Sequence, residues 1–258
     1  MRLFLFSCLF CLSCATTRSQ AEEQVADYFI DPVGKTYLLL TDDELVTDNP
    51  LGQNRFSFYD SSLGGPDVVD VTNPFAILLF YADYGTVVVL DRTLSEVSRL
   101  DLFGLSDLQQ PMTVARATDQ GIWVFDSWDY RLKLIDNTGR ERLKSNDLRL
   151  EIKTAAEPSA IYVDQGAVLL HYAEDDRLAV FTNYGRFQRW VELPPAKTYG
   201  WHAPYLSGNT DGNYWIWARG EQEARPQVQG TLKGKLLGVK EGVYYWDLVK
   251  GLSLKVVK

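Results

Sequence analysis

Leu132-Lys-Leu-Ile-Asp136-Asn-Thr-Gly139 is a short, mostly apolar strand that runs into an aspartate and a turn. The same figure occurs three more times, aligned without gaps: Glu44-Leu-Val-Thr-Asp48-Asn-Pro-Leu-Gly52, Val87-Val-Val-Leu90-Asp91-Arg-Thr-Leu94 and Leu178-Ala-Val-Phe-Thr182-Asn-Tyr-Gly185. Asp, Asn, Pro and Gly each favour a turn for a stereochemical reason of their own, so every segment reads as a strand followed by a tight reversal. Positions 48, 91, 136 and 182 are 43, 45 and 46 residues apart. A repeat of this length made of several short strands is the mark of β-propeller blades.

Other strands recur in step with these positions. Before each comes a continuous apolar run: Thr36–Thr41, Phe75–Tyr81, Gly121–Phe125 and Gly166–Tyr172. After it comes an alternating strand, as in Arg55–Tyr59, Val97–Leu102 and Phe187–Leu193. Continuous runs fit central strands covered on both faces, and alternation fits outer strands with one wet face. Short segments at 67–71, 113–115 and 160–163 supply the innermost strand of each unit. The expected fold is therefore all-β: one β-propeller of four-stranded blades over residues 22–258. Blades fall near 22–65, 66–110, 111–156, 157–199 and 200–237, followed by a partial unit with Gly242–Trp246 and Leu252–Val257. Six blades are expected, the last short or completed by the N-terminal strand, with five as the alternative.

The chain begins Met1-Arg2, followed by about ten apolar residues, a pattern that fits a secretory signal and is too short to span a bilayer. Leu12-Ser-Cys14 resembles the lipobox of bacterial lipoproteins, with Cys11 where that motif usually has Leu, Val or Ile. On this reading residues 1–13 are a signal peptide, Cys14 is acylated, and 14–21 form a lipidated tether. An ordinary secretory signal cleaved nearby is the alternative. Ala15 after the cysteine, by resemblance to lipoprotein sorting signals, implies the outer membrane. All three cysteines (8, 11 and 14) lie in this segment, which excludes a disulfide framework, a cysteine zinc site and a cysteine nucleophile.

The formal charge of −8 argues against a nucleic-acid partner, which requires a basic surface. Loss of residues 1–13 leaves 25 basic against 34 acidic side chains, a net −9. Six lysines (233, 235, 240, 250, 255 and 258) against Glu241 and Asp247 make residues 231–258 a +4 segment, so 14–230 carry about −13.

On Asp70-Val-Thr-Asn-Pro-Phe75, leading into Ile-Leu-Leu-Phe-Tyr81, the chain resembles NHL/YVTN-type β-propellers, and more closely the propeller lipoproteins of Gram-negative envelopes. The resemblance covers residues 22 to about 200. It implies a fold and a location more than an activity. Because envelope assembly machines and some nutrient-uptake systems carry such proteins, it implies either an accessory subunit of a membrane-protein complex or a ligand-binding lipoprotein.

Candidate residues follow from this frame. Hairpins joining the second and third strand of each blade share one face of a propeller, and their tips carry acids and aromatics: Asp83, Tyr84, Trp128, Asp129, Tyr130, Asp175 and Asp176. Such a rim suits a basic partner surface with aromatic anchors, although Asp also serves simply as a turn residue. Trp201, His202 and Tyr205 are candidates for binding a glycan or small ligand, within an aromatic-rich stretch (Tyr199–Trp217) that also suits blade packing. His171, in an apolar strand, reads as a core side chain. Propeller hydrolases place Asp, Glu, Asn or His at inner-strand ends, where this chain offers Asp70 and Asp164. No catalytic residue, metal site or cofactor is assigned, and the expected function is a non-catalytic scaffold anchored to the outer membrane.

Overall fold

A computed structural model describes residues 25–47, 55–211, 213–227, 236–239, 243–247 and 251–255. The signal peptide, Cys14 and its tether, Asp48, and Lys233, Lys235, Lys240, Lys250 and Lys258 lie outside the described residues.

Five antiparallel sheets of four strands follow one another along the chain, each in simple sequential order. The first holds Val25–Ile30, Thr36–Leu40, Leu45–Thr47 and Ser57–Phe58 (β1–β4). The second holds Val68–Asp70, Ile77–Tyr81, Thr86–Leu90 and Glu96–Asp101 (β5–β8). The third holds Pro111–Arg116, Ile122–Asp126, Arg131–Ile135 and Glu141–Lys144 (β9–β12), and the fourth Ala160–Asp164, Ala167–Tyr172, Arg177–Thr182 and Phe187–Glu192 (β13–β16). The fifth holds Thr198–His202, Tyr205–Thr210, Asn213–Ala218 and Arg225–Gln227 (β17–β20). A sixth, three-stranded sheet contains Leu236–Val239, Val243–Asp247 and Gly251–Lys255 (β21–β23). Strand β21 packs against β17 on one side and β1 on the other, so this short sheet closes the ring. The N-terminal strand does not complete it: Val25–Ile30 pairs with Thr36–Leu40 as the innermost strand of its own blade.

The continuous apolar runs are explained by where the core lies. It is between blades. In β6, Ile77, Leu79 and Tyr81 join Tyr37 and Leu45 of the first blade, whereas Leu78 and Phe80 join Val114, Ile122 and Val124 of the third. Along β14, Val168 and Leu170 pack with Trp123 and Phe125 of the third blade, while Ala167 and Leu169 pack with Trp215 and Trp217 of the fifth. Side chains of a strand alternate between faces, so a sheet covered on both sides must be apolar at every position. The outermost strand β8 is exposed along nearly its whole length.

The aspartates that mark the repeat close its turns. Asp91 Oδ1 accepts the backbone N–H groups of Thr93 and Ser95 and the hydroxyl of Thr93, at 2.7, 3.0 and 2.6 Å. Asp136 does the same with Thr138 and Arg140. Thr182 serves through its hydroxyl, which accepts from Tyr184 and Arg186. Asp31, at the end of β1, uses the same chemistry toward Val33 and Lys35.

Leu79 and Leu170 are both fully buried but lie in different inter-blade cores. Truncation of either to Ala is expected to cost about 2–5 kcal/mol. In the double variant the losses should add within about 0.5 kcal/mol, as for non-touching sites. Urea unfolding with a common m-value checks this, and strong non-additivity would show that the cores are not separate.

Candidate functional site

Strands alternate in direction within each blade, so the hairpins between second and third strands share one end of the molecule with the connections between blades. Four aromatic side chains at this end are about half exposed or more: Tyr59, Tyr84, Phe103 and Trp128. The ring of Phe103 lies directly over Gly85, whose φ is +55°; a Cβ there would stand 2.7 Å from the ring. Only glycine meets both demands at that turn.

Trp128 is held out by a buried charge pair beneath it. Asp126, fully buried at the end of β10, accepts the Lys133 ammonium at 2.7 Å, and Lys133 also reaches the Asp107 carbonyl and Asp129. The same carboxylate accepts backbone N–H groups from Gln109, Gln110 and Trp128. Burial alone would raise the Asp126 carboxyl, but Lys133 and the two glutamine N–H groups hold it below its ordinary value. One buried carboxylate thereby binds the incoming connection and the hairpin tip together.

Tyr130 corrects the expectation of a second exposed aromatic beside Trp128. It is 9% exposed, with its ring edge-on to Phe125 at 5.3 Å and Arg149 over its face at 5.0 Å. Its φ of +56° turns the side chain inward, where its hydroxyl donates to the Ala155 carbonyl. Asp129 and Asp175 are drawn into ion pairs with Lys133 and Arg177 respectively. Asp176 has a left-handed backbone (φ +50°), and its carbonyl accepts the Leu193 N–H at 2.8 Å. Asp83 lies on the single-turn 3-10 segment 82–84, beside the exposed Tyr84.

The other end of the molecule holds a cavity of about 600 Å³ on the propeller axis. Its walls are the innermost strands β1, β5, β9, β13 and β17 with the residues just beyond their C-terminal ends, so it reaches the end opposite the aromatic rim. Trp201 and His202 line it; Tyr205, expected beside them, does not. Trp201 stacks on Tyr162 with centroids 5.1 Å apart and planes 20° from parallel. Trp215 and Trp217 are buried in the core between the fourth and fifth blades. His171 is 2% exposed behind the wall, edge-on to Tyr199 at 4.3 Å.

Both inner-strand aspartates face structural duties. Asp70 accepts the N–H and hydroxyl of Thr72 with one oxygen and the Arg116 backbone N–H with the other, tying the second blade to the third. Asp164 is bound by Arg219 of the fifth blade. Sequence reasoning missed Arg116. The residue is 8% exposed and is among those lining both this cavity and a smaller one between the second and third blades, and its Nε has no hydrogen-bond partner among the described residues. The available signal was a lone cation ending an apolar inner strand, Met112-Thr-Val-Ala-Arg116. Among the described residues no group of three His, Cys, Asp or Glu side chains is arranged to hold a metal ion.

No protein-family model and no curated protein sequence matches the chain. Solved structures do. A streptogramin B lyase superposes with a TM-score of 0.60 at 11% identity, over 92% of this chain and 85% of the lyase. The WD40 domain of Pan2 from Neurospora crassa gives 0.55 at 9% identity, over 88% and 76%. BamB from Moraxella catarrhalis gives 0.45 at 15% identity, over 88% and 69%. The protein is a β-propeller. At such identities the first two likenesses establish that fold and leave the chemistry to the residues of the site.

His171 yields a pH test. Burial pushes its imidazole down from 6.5 to about 4. Between these values the unfolded chain binds a proton that the folded one does not, so stability should fall as pH falls through that window. The loss amounts to about 3 kcal/mol, since one pKa unit is worth about 1.4 kcal/mol. Urea midpoints at pH 7 and pH 4 should differ more for the parent than for His171→Phe. An equal difference in both would clear the imidazole.

Proposed function

We propose that the protein is a non-catalytic scaffold of the bacterial envelope, held at the outer membrane by an acyl chain on Cys14, in the manner of NHL-like propeller lipoproteins. Its hairpin end would be the docking face for a membrane-protein complex. The observation that carries this reading is the exposure of Tyr59, Tyr84, Phe103 and Trp128 at one end of a rigid ring. Aromatic side chains of this kind supply the hot spots of protein interfaces. Asp83, beside Tyr84, and the acidic balance of the blades favour a basic partner surface, which would speed encounter and set orientation. In this reading attachment falls to the lipid on Cys14; no helix among the described residues is long and apolar enough to cross a membrane.

A second reading, a ligand-binding lipoprotein, is favoured by the axial cavity with its stacked Tyr162–Trp201 wall. A propeller hydrolase comes third. Asp70 and Asp164 have their oxygens engaged by Thr72, Arg116 and Arg219, as befits groups that fasten blades together.

Cys14→Ser is expected to shift the protein from the membrane to the soluble periplasmic fraction on cell fractionation; unchanged membrane retention overturns the anchor. Affinity purification from detergent-solubilised envelopes should recover a stoichiometric membrane partner, released by raised salt. Trp128→Ala should weaken that recovery roughly thirty-fold, the effect of losing about 2 kcal/mol at a hot spot, with an unchanged unfolding midpoint. Recovery of the protein alone, or recovery indifferent to Trp128, overturns the scaffold reading.

A further inference from the structure

Three buried polar atoms without hydrogen-bond partners among the described residues belong to side chains that wall the axial cavity: Thr113 Oγ1, Arg116 Nε and Trp201 Nε1. A buried donor left unmatched is costly, and more so when charged. Native interiors therefore satisfy nearly all such groups, and the exceptions call for an explanation. Here all three belong to residues that line one space, each of the three atoms being shielded from it by the rest of its own surroundings. Two of them, the arginine and the indole, are donors with no acceptor capacity, and the third is a hydroxyl that works either way.

The charges around the cavity sharpen the point. Asp70 attracts the Arg116 guanidinium, yet it spends its oxygens on Thr72 and on the backbone N–H of Arg116, and among the described residues no salt bridge reaches the guanidinium. Asp164 is taken by Arg219. Among the described residues one cation, more than nine-tenths buried, thus stands without a salt bridge, attracted by Asp70 only at longer range, among the residues that wall a space of about 600 Å³. That volume lies in the ordinary range for small-molecule sites.

We propose that the axial cavity binds a small organic acid with a flat apolar body, its carboxylate received by Arg116 and its body lying along the stacked Tyr162–Trp201 wall. A guanidinium presents donors in a planar fork that matches a carboxylate. A single negative charge is favoured over two, because Asp70 and Asp164 already stand in the walls and would repel a dianion. The near-parallel Tyr162 and Trp201 rings offer a flat apolar surface, and Phe29 and Ile30 of β1 with Val69 and Val71 in and just after β5 add apolar lining. The ligand would enter from the end opposite the aromatic rim, leaving that rim free for a partner.

This inference rests on the ligand-binding reading of the cavity and is independent of the scaffold face. Indole-3-acetate and its uncharged amide are the probes, titrated calorimetrically into the full soluble domain, with inorganic phosphate and glucose as comparison ligands. The acid is expected to bind saturably, at least tenfold more tightly than the amide and than phosphate. Arg116→Met should remove the preference for acid over amide. It should also leave the thermal midpoint equal or higher, since it removes a desolvated, unpaired charge; this separates loss of binding from loss of fold. Trp201→Leu should weaken acid and amide alike. Equal binding of acid and amide, an Arg116→Met variant that keeps the preference, or tighter binding of phosphate would each overturn the proposal. Binding of glucose without the acid would overturn the anion and keep the cavity as a ligand site, whereas binding of none of the probes would overturn both.

Discussion

No blade of this propeller owns a core. Each sheet is one layer thick, and its central strands send alternate side chains to the blade before and the blade after. Burial, the main favourable contribution to folding, is therefore collected at the interfaces between sheets. A row of such sheets would leave an apolar face bare at each end. At one end that face consists of Tyr28, Ile30, Leu38, Leu40 and Val46 of the first blade. The three-stranded sixth sheet, with β21 against both β17 and β1, is what the arrangement requires at that place. The edges that remain open to pairing with other molecules are the short outermost strands of the blades.

Rigidity of the ring then dictates where function has room. The strands cannot move far without opening a packed interface, so variation collects in loops at the two ends and in the space on the axis. The two ends differ. One carries exposed aromatics propped on a buried Asp126–Lys133 pair. The other opens into a largely apolar cavity with the stacked Tyr162–Trp201 pair and Arg116 among its lining residues. A pair such as Asp126–Lys133 adds little net stability over an apolar pair, but breaking one side of it is costly, so it serves mainly to fasten one geometry.

Turn chemistry and strand patterning were readable residue by residue because they are local. Asp91 and Asp136 accept the N–H groups two and four residues on, an arrangement that needs no partner from elsewhere in the chain. The same local origin explains why Asp31 makes this turn at the end of an innermost strand, outside the repeat position at which the others were recognised. Side-chain direction at the hairpin tips was not readable in that way. Trp128 and Tyr130 are two residues apart in one turn, yet one is 65% exposed and the other 9%, because a left-handed backbone at Tyr130 delivers its ring to Phe125 and Arg149.

Sequence alone determined the class of fold, the repeat, the order of strands within each blade and the turns that divide them, since spacing and alternation are properties of neighbouring residues. It also marked the Cys14 segment as a matter of motif. Only the tertiary structure decided which side chains share the axis. Thr113, Arg116, Tyr162 and Trp201 come from three blades and are separated by up to 88 positions in the chain. They meet because ring closure turns every innermost strand toward one line, and no local pattern encodes that convergence.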